Sequence, residues 1–360
     1  MKVICVLCTL LYVNSALNKT GRCKFVGWWG VGVVRFENSV CTAANGLLGI
    51  CYTRRQCTTI GGYVSGKCAR NIGVCCVVQV SCGATSSNNN TYFQNPSFPN
   101  IFTGANTCSL TVQRCSEDIC QIRIDFLSFS LAQPNGDGVC ANDALIISGG
   151  AANLGRICGD NTGQHIYLDF NNGSNIDINI FTSSAITAGR QWNLRVAQIG
   201  CDSPSRAMSG CLMYYRGTSG TVRSFNYGQS VAIGGRQLAN MNYGVCIRTA
   251  PGMCSIQWSA TSGDSFAFTV SLDAQVPTAL TGNNCETDYV IIPNGVTTTA
   301  DGAALSADRY CGSMFTPVTS SSTPFVLYTV TNGNEATDSA NRGFSLSYTQ
   351  QQCTNNLLQL

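Results

Sequence analysis

The sequence predicts an all-β protein that contains a duplicated domain, and three observations lead to this fold class. A two-cysteine segment occurs twice, as Cys140–Ile147 followed by Cys158-Gly159 and as Cys285–Ile292 followed by Cys311-Gly312. Apolar and polar residues alternate at period two in many short stretches, such as Ile122–Phe126, and helical periodicity is lacking. The chain also has 37 Gly, 22 Cys and only 11% charged residues, which is typical of turn-rich, disulfide-stabilised β proteins. We therefore expect strands packed as β-sandwiches.

In each copy of the repeat, the two cysteines are expected to join a strand–loop–strand corner. They are 18 and 26 residues apart, and closing such loops stabilises the fold by roughly 3 to 4 kcal/mol. Asp143 and Asp288 each stand three residues after the first cysteine. A Cys-x-x-Asp followed by a Cys-Gly resembles the CUB domain. That resemblance implies two jelly-roll β-sandwiches, with Cys140–Cys158 and Cys285–Cys311 as disulfides.

The beginning of the chain predicts secretion. Met1-Lys2 precedes an apolar run, Val3–Val13, that ends near Ala16 and is too short to span a membrane. Removing a signal peptide would leave twenty cysteines, so we expect about ten disulfides and an extracellular location. The predicted parts are a signal peptide (1–16), an arm (17–40), a disulfide knot (41–76), two β domains (82–200 and 201–353) and a tail (354–360).

The arm is rich in glycine and aromatic residues and contains Trp28 and Trp29. One interpretation is a strand that packs both tryptophans on a neighbouring domain. The other is an exposed patch that binds a partner.

The knot has six cysteines in 36 residues, too short a segment to fold on an apolar core alone. The cysteines by themselves allow fifteen pairings. Their spacing resembles the clip domain that precedes many arthropod serine proteases. The pairs implied by that resemblance are Cys41–Cys75, Cys51–Cys68 and Cys57–Cys76. Together with the signal peptide and two CUB-like domains, the knot makes the chain resemble the secreted CUB proteins of insects.

The remaining cysteines lie in or near the two β domains. In the first domain we expect Cys82–Cys108 and, across a short hairpin, Cys115–Cys120. Outside the repeat, the second domain has an odd number of cysteines, which predicts that Cys23 of the arm bonds to one of them. Those left without an assigned partner are Cys201, Cys211, Cys246, Cys254 and Cys353.

The net charge and the small number of candidate catalytic side chains argue against catalysis and against several classes of partner. His165 is the only histidine, and Ser265, in a Gly-Asp-Ser turn, lies in the other β domain with no candidate proton acceptor. The net charge of +3 predicts neither a nucleic-acid nor a membrane-surface partner. After the amino-terminal run, no apolar stretch approaches the length of a transmembrane helix.

Calcium is the cofactor that the resemblance raises, because many CUB domains bind it through a Tyr, a Glu and two Asp. Asp143 and Asp288 occupy the Cys-x-x-Asp ligand position. The other ligand positions are poorly matched, since Ser130–Ala132, Thr182–Ser184 and Thr331–Gly333 contain no acidic residue. The alternative is that each Asp caps a loop.

The predicted function is extracellular recognition of a protein or glycan by loops on rigid, disulfide-stapled sandwiches. Candidate contact residues are Asp143, Asp288, Trp28 and Trp29. The alternatives are a matrix or cuticle component and a non-catalytic cofactor of a serine-protease cascade. The oligomeric state is open. Sequons at Asn18, Asn89 and Asn172 predict N-glycosylation.

Overall fold

The computed structural model describes residues 27–29, 32–34, 36–150, 154–171, 174–228, 235–299, 301–333, 338 and 340–353. Within these residues the protein is all-β, as predicted, with a single short α-helix and two 3₁₀ turns. None of the helices in this part of the chain has the length and apolar character needed to cross a bilayer. The predicted signal peptide, Cys23, Asn18 and Asn172 lie outside the described residues.

The amino-terminal region begins with an antiparallel hairpin in which Trp28 pairs with Val33. The prediction about Trp28 and Trp29 concerns side chains that lie outside the described part of the structure. The knot comes directly after the hairpin. The elements of the two segments are β1 (Gly27–Trp29), β2 (Gly32–Val34), β3 (Val40–Thr42), β4 (Leu48–Tyr52), α1 (Arg54–Thr59), β5 (Tyr63–Cys68), a 3₁₀ turn (Ala69–Asn71) and β6 (Gly73–Val80).

Three disulfides hold the knot together, and they have the pairing implied by the clip-domain resemblance: Cys41–Cys75, Cys51–Cys68 and Cys57–Cys76. The helix α1 begins with a capping box, in which the Thr53 side chain accepts from the Gln56 backbone and Gln56 bonds back to Thr53. The knot is joined to the first β domain through a shared sheet, because β6 pairs in parallel with a strand of that domain, from Val78 opposite Thr91 to Val80 opposite Phe93.

The first β domain is a sandwich of two sheets. Its strands are β7 (Ala84–Ser86), β8 (Thr91–Gln94), β9 (Thr107–Val112), β10 (Ile119–Ser130), β11 (Ala144–Ser148), β12 (His165–Asp169), β13 (Ile176–Phe181) and β14 (Gln191–Gly200). One sheet has the order β12-β10-β14-β8 and extends through β6 into the knot, and the other has the order β11-β13-β9-β7. Alternate residues face inward, so Ile122, Ile124, Ile178 and Trp192 are fully buried between the sheets.

The second β domain is one strongly curled sheet in the order β15-β17-β24-β21-β23-β18-β25-β16, with the short strands β19 and β20 and the longer β22 paired beside this path. Its strands are β15 (Cys211–Tyr215), β16 (Ser219–Arg223), β17 (Asn242–Ile247), β18 (Met253–Ala260), β19 (Phe268–Thr269), β20 (Ala279–Thr281), β21 (Tyr289–Thr298), β22 (Ala304–Gly312), β23 (Val318–Ser320), β24 (Phe325–Val330) and β25 (Gly343–Gln352). A second 3₁₀ turn covers Gly282–Asn284. Trp258 and Phe344 are buried at the centre of the curl.

The disulfides of the β domains correct one prediction. Cys82–Cys108, Cys140–Cys158 and Cys285–Cys311 form as expected. The expected Cys115–Cys120 bond is wrong. Cys120 bonds Cys201 instead, because β10 starts where β14 ends and the backbone N–H of Cys201 donates to Asp118. Cys115 is also disulfide-bonded, but not to Cys120.

The same bond overturns the reasoning about Cys23. The odd count in the second domain included Cys201, which belongs to a pair with the first domain. The other four cysteines pair among themselves, as Cys211–Cys246 and Cys254–Cys353. None of the five is therefore available to Cys23.

Candidate functional site

The first stapled corner places Asp143 in the protein interior. Asp143 immediately precedes β11, and its side chain is 0% exposed. Arg190, which immediately precedes β14, donates from Nε to Oδ2 at 2.8 Å and from Nη2 to Oδ1 at 3.0 Å. The backbone N–H groups of Ala132 and Ser183 donate one bond each to the same carboxylate, both at 2.9 Å. Each oxygen therefore accepts two hydrogen bonds.

These contacts keep Asp143 ionised. Burial alone would raise its pKa, but the hydrogen bonds from Arg190, Ser183 and Ala132 outweigh burial and hold the pKa below its usual value. The charge is neutralised inside the fold, with no oxygen facing solvent. A Lys or Arg of a partner cannot reach it, so Asp143 is a structural residue here rather than the contact residue predicted from the sequence.

The second corner has the same backbone arrangement and different partners. Asp288 is fully buried and accepts from Gln237 Nε2 at 2.6 Å and from the Asn332 backbone at 2.7 Å. Arg342 stands where Arg190 stands in the first copy, yet it points elsewhere and binds Asp264 at 2.8 Å. Asp288, like Asp143, is buried rather than placed at the surface where a partner would contact it.

The corners do not fit a calcium ion. Calcium takes six to eight oxygen ligands, whereas in this structure both oxygens of Asp143 are saturated by Arg190 and backbone donors. Across the described residues, no three His, Cys, Asp or Glu side chains are grouped to hold a metal. The residues at the poorly matched positions make hydrogen bonds to the backbone instead. For example, the Thr182 hydroxyl donates to the carbonyls of Gly104 and Asn106. The alternative in which each Asp ties down a loop describes this geometry.

A second feature, the junction between the two β domains, contains the only histidine. His165 begins β12, is 7% exposed, and its Nε2 lies 3.0 Å from the carbonyl oxygen and 3.3 Å from the backbone nitrogen of Tyr214 in β15. Its ring packs against Tyr215 with a centroid distance of 4.9 Å. Burial, together with the nearby charge of Arg123, lowers the pKa of His165 to about 4, so the ring is neutral at physiological pH.

Further contacts fix the junction from several sides. The Gln121 side chain accepts from the Ala207 backbone at 2.8 Å and donates to its carbonyl at 3.2 Å. Asn226 of the second domain accepts from Asp160 at 2.9 Å and donates through its backbone to Asn161 at 2.7 Å. An apolar cluster fills the space between: Tyr167, Ile199, Ala207, Cys211, Tyr214 and Cys246. With the Cys120–Cys201 bond, these contacts oppose rotation of one domain against the other.

Beside the junction lies a cleft of about 270 Å³ with walls from both domains. The first domain contributes Leu154, Tyr167 and Asp169, and the second contributes Ser209–Leu212 and Asn242–Gly244. Asp169 accepts from Gln121 at 3.1 Å and lies 3.6 Å from the Arg206 guanidinium, which fixes the carboxylate at the wall. The lining thus combines aromatic rings, a carboxylate, an amide and two glycines.

Family models match both β domains. Residues 82–195 match the model of the CUB domain, and residues 208–351 match the model of the animal CUB domain. The chain contains two CUB domains. We call the first β domain CUB1 and the second CUB2. No curated protein sequence matches the chain.

Several solved structures are similar to this chain at low identity. The CUB1-EGF-CUB2 fragment of rat MASP-1 is 12% identical, with a TM-score of 0.27, and the alignment covers 76% of this chain and 99% of that one. The same fragment of human MASP-1/3 is 16% identical, with a TM-score of 0.25, and the alignment covers 73% of this chain and 100% of that one. The full extracellular region of zebrafish Gpr126/Adgrg6 is 11% identical, with a TM-score of 0.27, and the alignment covers 75% of this chain and 36% of that one. TM-scores this low do not establish a shared arrangement of domains.

CUB2 has one partly exposed charged cluster that the sequence analysis did not single out. Arg342 binds both carboxylate oxygens of Asp264, and its guanidinium lies over the rings of Tyr227 and Phe266 at 5.3 and 5.2 Å. Burial raises the pKa of Asp264, but hydrogen bonds from Tyr227, Phe266 and Arg342 outweigh it and lower that pKa overall. The cluster anchors the turn that contains Ser265, which is exposed and is not joined to His165.

The junction residues were also missed, because Gln121 and Asn226 carry no local sequence signal. Gln121 bonds to Ala207, which is 86 residues away, and Asn226 bonds to Asn161, which is 65 residues away. Asn89, the sequon residue inside the described part, is half-buried and accepts from the Gln198 backbone at 2.8 Å. Its glycosylation remains a prediction.

Proposed function

We propose that this protein is a secreted, non-enzymatic binding protein that recognises an extracellular protein or glycan through its two CUB domains. The observation that carries the proposal is the cleft at the CUB1–CUB2 junction, whose walls come from both domains and are held by covalent and hydrogen bonds. A binding site that is already ordered loses less entropy when a ligand binds. Two CUB domains fixed in this way present one composite surface.

Secretion is supported by the cysteine chemistry. Nine disulfides join described cysteines, and bonds of this number form and persist in oxidising compartments. The knot with the clip-like pairing would be a further module of the same secreted molecule. Such an architecture would resemble that of the secreted CUB proteins of insects.

The absence of enzymatic activity is part of the proposal. The Nε2 atom of His165 is engaged by the Tyr214 backbone, and a pKa lowered to about 4 makes the ring a weak proton acceptor. Among the described residues, no hydrogen bond joins the Ser265 hydroxyl to a His, Asp or Glu side chain, as activation of a serine nucleophile requires. Profiling against broad hydrolase substrates is expected to give no turnover. A reproducible turnover that is lost in Ser265→Ala would contradict this part of the proposal.

The chemistry of the cleft suits a polar ligand with an apolar face. The Asp169 carboxylate is oriented by Gln121 and can accept hydrogen bonds from hydroxyl or amine groups. Tyr167 and the exposed Asn242 add an aromatic ring and an amide. Both glycans and protein loops combine these features, so binding experiments must decide between them.

The test is capture of ligands by the purified protein from native extracellular fluid and from a glycan array. Asn242→Trp would place a large ring at the cleft without disturbing a buried residue, and capture should fall at least tenfold. Gln257→Trp is the matched control, because Gln257 is also an exposed strand residue of CUB2 but lies away from the cleft. Equal capture by both variants would refute a role for the cleft.

The extraction behaviour of the native protein tests the alternative of a structural role. A binding protein should be recovered from body fluid or culture medium. A matrix or cuticle component should resist release by mild salt. Resistance of that kind would replace the proposed function by a structural one.

A further inference from the structure

The knot differs from the rest of the chain in charge. Between Cys41 and Cys76 there are four basic residues and no acidic residue, namely Arg54, Arg55, Lys67 and Arg70. The remainder of the chain carries 17 basic and 18 acidic residues. The knot therefore has a charge of +4, and together with the similarly basic segment before it, it contrasts with the net negative remainder of the chain. The sequence analysis considered only the total of +3, in which this asymmetry is hidden.

All four basic side chains are exposed, and none forms an ion pair with a described residue. Along the chain, the flanking acidic residues are Glu37 and Glu117. The four charges are therefore not neutralised from within the knot. They produce a positive potential at its surface, which attracts anions in solution.

One disulfide joins the two segments of the knot that carry the four residues. Cys51 and Cys68 are 5.9 Å apart between Cα atoms. Arg54 follows Cys51 by three residues, and Arg70 follows Cys68 by two. At about 3.8 Å per residue, the Cα atoms of Arg54 and Arg70 can be no more than about 25 Å apart. The four residues, which we call the basic cluster, thus all lie within a few residues of this one disulfide, spread along the chain rather than gathered in a single anion pocket.

Two of these residues are placed against the local electrostatic preference. Arg54 and Arg55 occupy the first turn of α1, which has no acidic residue. Backbone N–H groups give this end of a helix a partial positive charge, so basic side chains there are unfavourable. Nothing in the fold of the knot requires a cation at this place, since both side chains face solvent.

A third residue is placed against the backbone preference. Arg70 lies at the tip of the β5–β6 hairpin with a φ of 54°, and its neighbours Ala69 and Asn71 have φ values of 46° and 71°. Left-handed backbone costs a non-glycine residue about 1 to 2 kcal/mol. Unfavourable conformations of this kind cluster at functional sites.

We infer that Arg54, Arg55, Lys67 and Arg70 form a binding site for a sulfated polysaccharide. A linear polyanion can contact charges spread over the cluster one after another, which a single small anion cannot do. An anionic lipid surface fits less well, because Ile72 is the one large aliphatic side chain exposed next to the cluster in sequence, and stable attachment to lipid needs more buried apolar area. This site is separate from the cleft between the CUB domains.

The experiment measures binding of the purified full chain to immobilised heparin, to desulfated heparin and to phosphatidylserine vesicles over a range of salt concentrations. The variant Arg54→Gln/Arg55→Gln/Arg70→Gln removes three charges from the knot. The control Arg216→Gln/Arg223→Gln/Arg248→Gln removes three exposed arginines from CUB2. Circular dichroism and non-reducing mass mapping verify that both variants fold.

We expect the wild type to bind heparin with an affinity that falls as salt rises. The knot variant should bind at least tenfold more weakly and with a smaller salt dependence, while the control should stay within about twofold. Equal losses in both variants would overturn the inference in favour of diffuse charge. Undiminished binding to desulfated heparin, or binding to the vesicles without binding to heparin, would also overturn it.

Discussion

Arg190 and Asp143 form an ion pair in which the two side chains are 1% and 0% exposed and Nε lies 2.8 Å from Oδ2. The pair joins the residue before β14 to the residue before β11, and so ties together the two sheets of CUB1. In CUB2 the corresponding residues, Arg342 and Asp288, have separate partners. The two copies of the domain therefore respond differently to the same substitution.

We expect Arg190→Met to destabilise CUB1 by about 3 to 5 kcal/mol, because it leaves a buried carboxylate without its counter-charge. Arg342→Met should cost less, since its partner Asp264 is 23% exposed and can be hydrated. Urea unfolding with the disulfides intact measures both. Equal effects, or a larger effect of Arg342→Met, would contradict the structural role assigned to the buried pair.

The stability of the domain junction should depend on pH through His165. Its pKa in the folded protein is about 4, against an ordinary value of 6.5, so the unfolded chain binds a proton first as pH falls. The contribution of neutral His165 to the free energy of unfolding is fully present above about pH 7, decreases below pH 6.5 and is lost by about pH 4. At pH 5 the loss amounts to about 2 kcal/mol.

The measurement is the melting temperature at pH 7.5 and pH 5.0 for the wild type and for His165→Phe. The chain has one histidine, so the variant should lose most of the change between these two values. An unchanged pH dependence in His165→Phe would show that another group controls it.

Asn226→Ala should loosen CUB2 from CUB1. Its side chain accepts from the Asp160 backbone and donates to Gln133, both at 2.9 Å across the junction. Hydrogen–deuterium exchange of the amides of residues 160–164 should rise at least tenfold. Asn294→Ala is the control, because Asn294 also has a left-handed backbone, with a φ of 50° against 58°, but is exposed and far from the junction in sequence. Similar exchange of residues 160–164 in both variants would contradict the role assigned to the Asn226 side chain.

The Cys120–Cys201 bond is expected in non-reducing peptide maps, with no peptide that links Cys115 to Cys120. It closes 81 residues of chain, for which loop entropy gives about 4.5 kcal/mol. Replacing both cysteines by serine should therefore lower the unfolding temperature of CUB1 and speed proteolysis at its boundary with CUB2. A variant as stable as the wild type would show that the other junction contacts suffice.

Local patterns explain why the fold could be predicted. Alternation at period two identifies strands such as Ile119–Ser130, and repeated cysteine spacing identifies the two corners, because both depend on residues close in the sequence. The resemblance to CUB and clip domains supplied the jelly-roll expectation and the three pairs of the knot. These patterns do not depend on contacts between distant parts of the chain.

The role of the site residues could not be predicted because it depends on such contacts. Arg190 is 47 residues from Asp143, so the sequence shows an acidic residue at a stapled corner but not the buried guanidinium that occupies it. The partner of Cys120 lies across a domain boundary, which made the cysteine count in CUB2 misleading. Total charge likewise concealed the concentration of cations in the knot.

The parallel pairing of β6 with β8 has a mechanical consequence. Because one sheet runs from the knot into CUB1, the knot cannot rotate independently of CUB1 unless the hydrogen bonds between Val78–Val80 and Thr91–Phe93 break. CUB1 is fastened in turn to CUB2 through the disulfide and the Asn226 contacts. A ligand bound to the knot and another bound in the cleft would therefore be held at a fixed distance from each other.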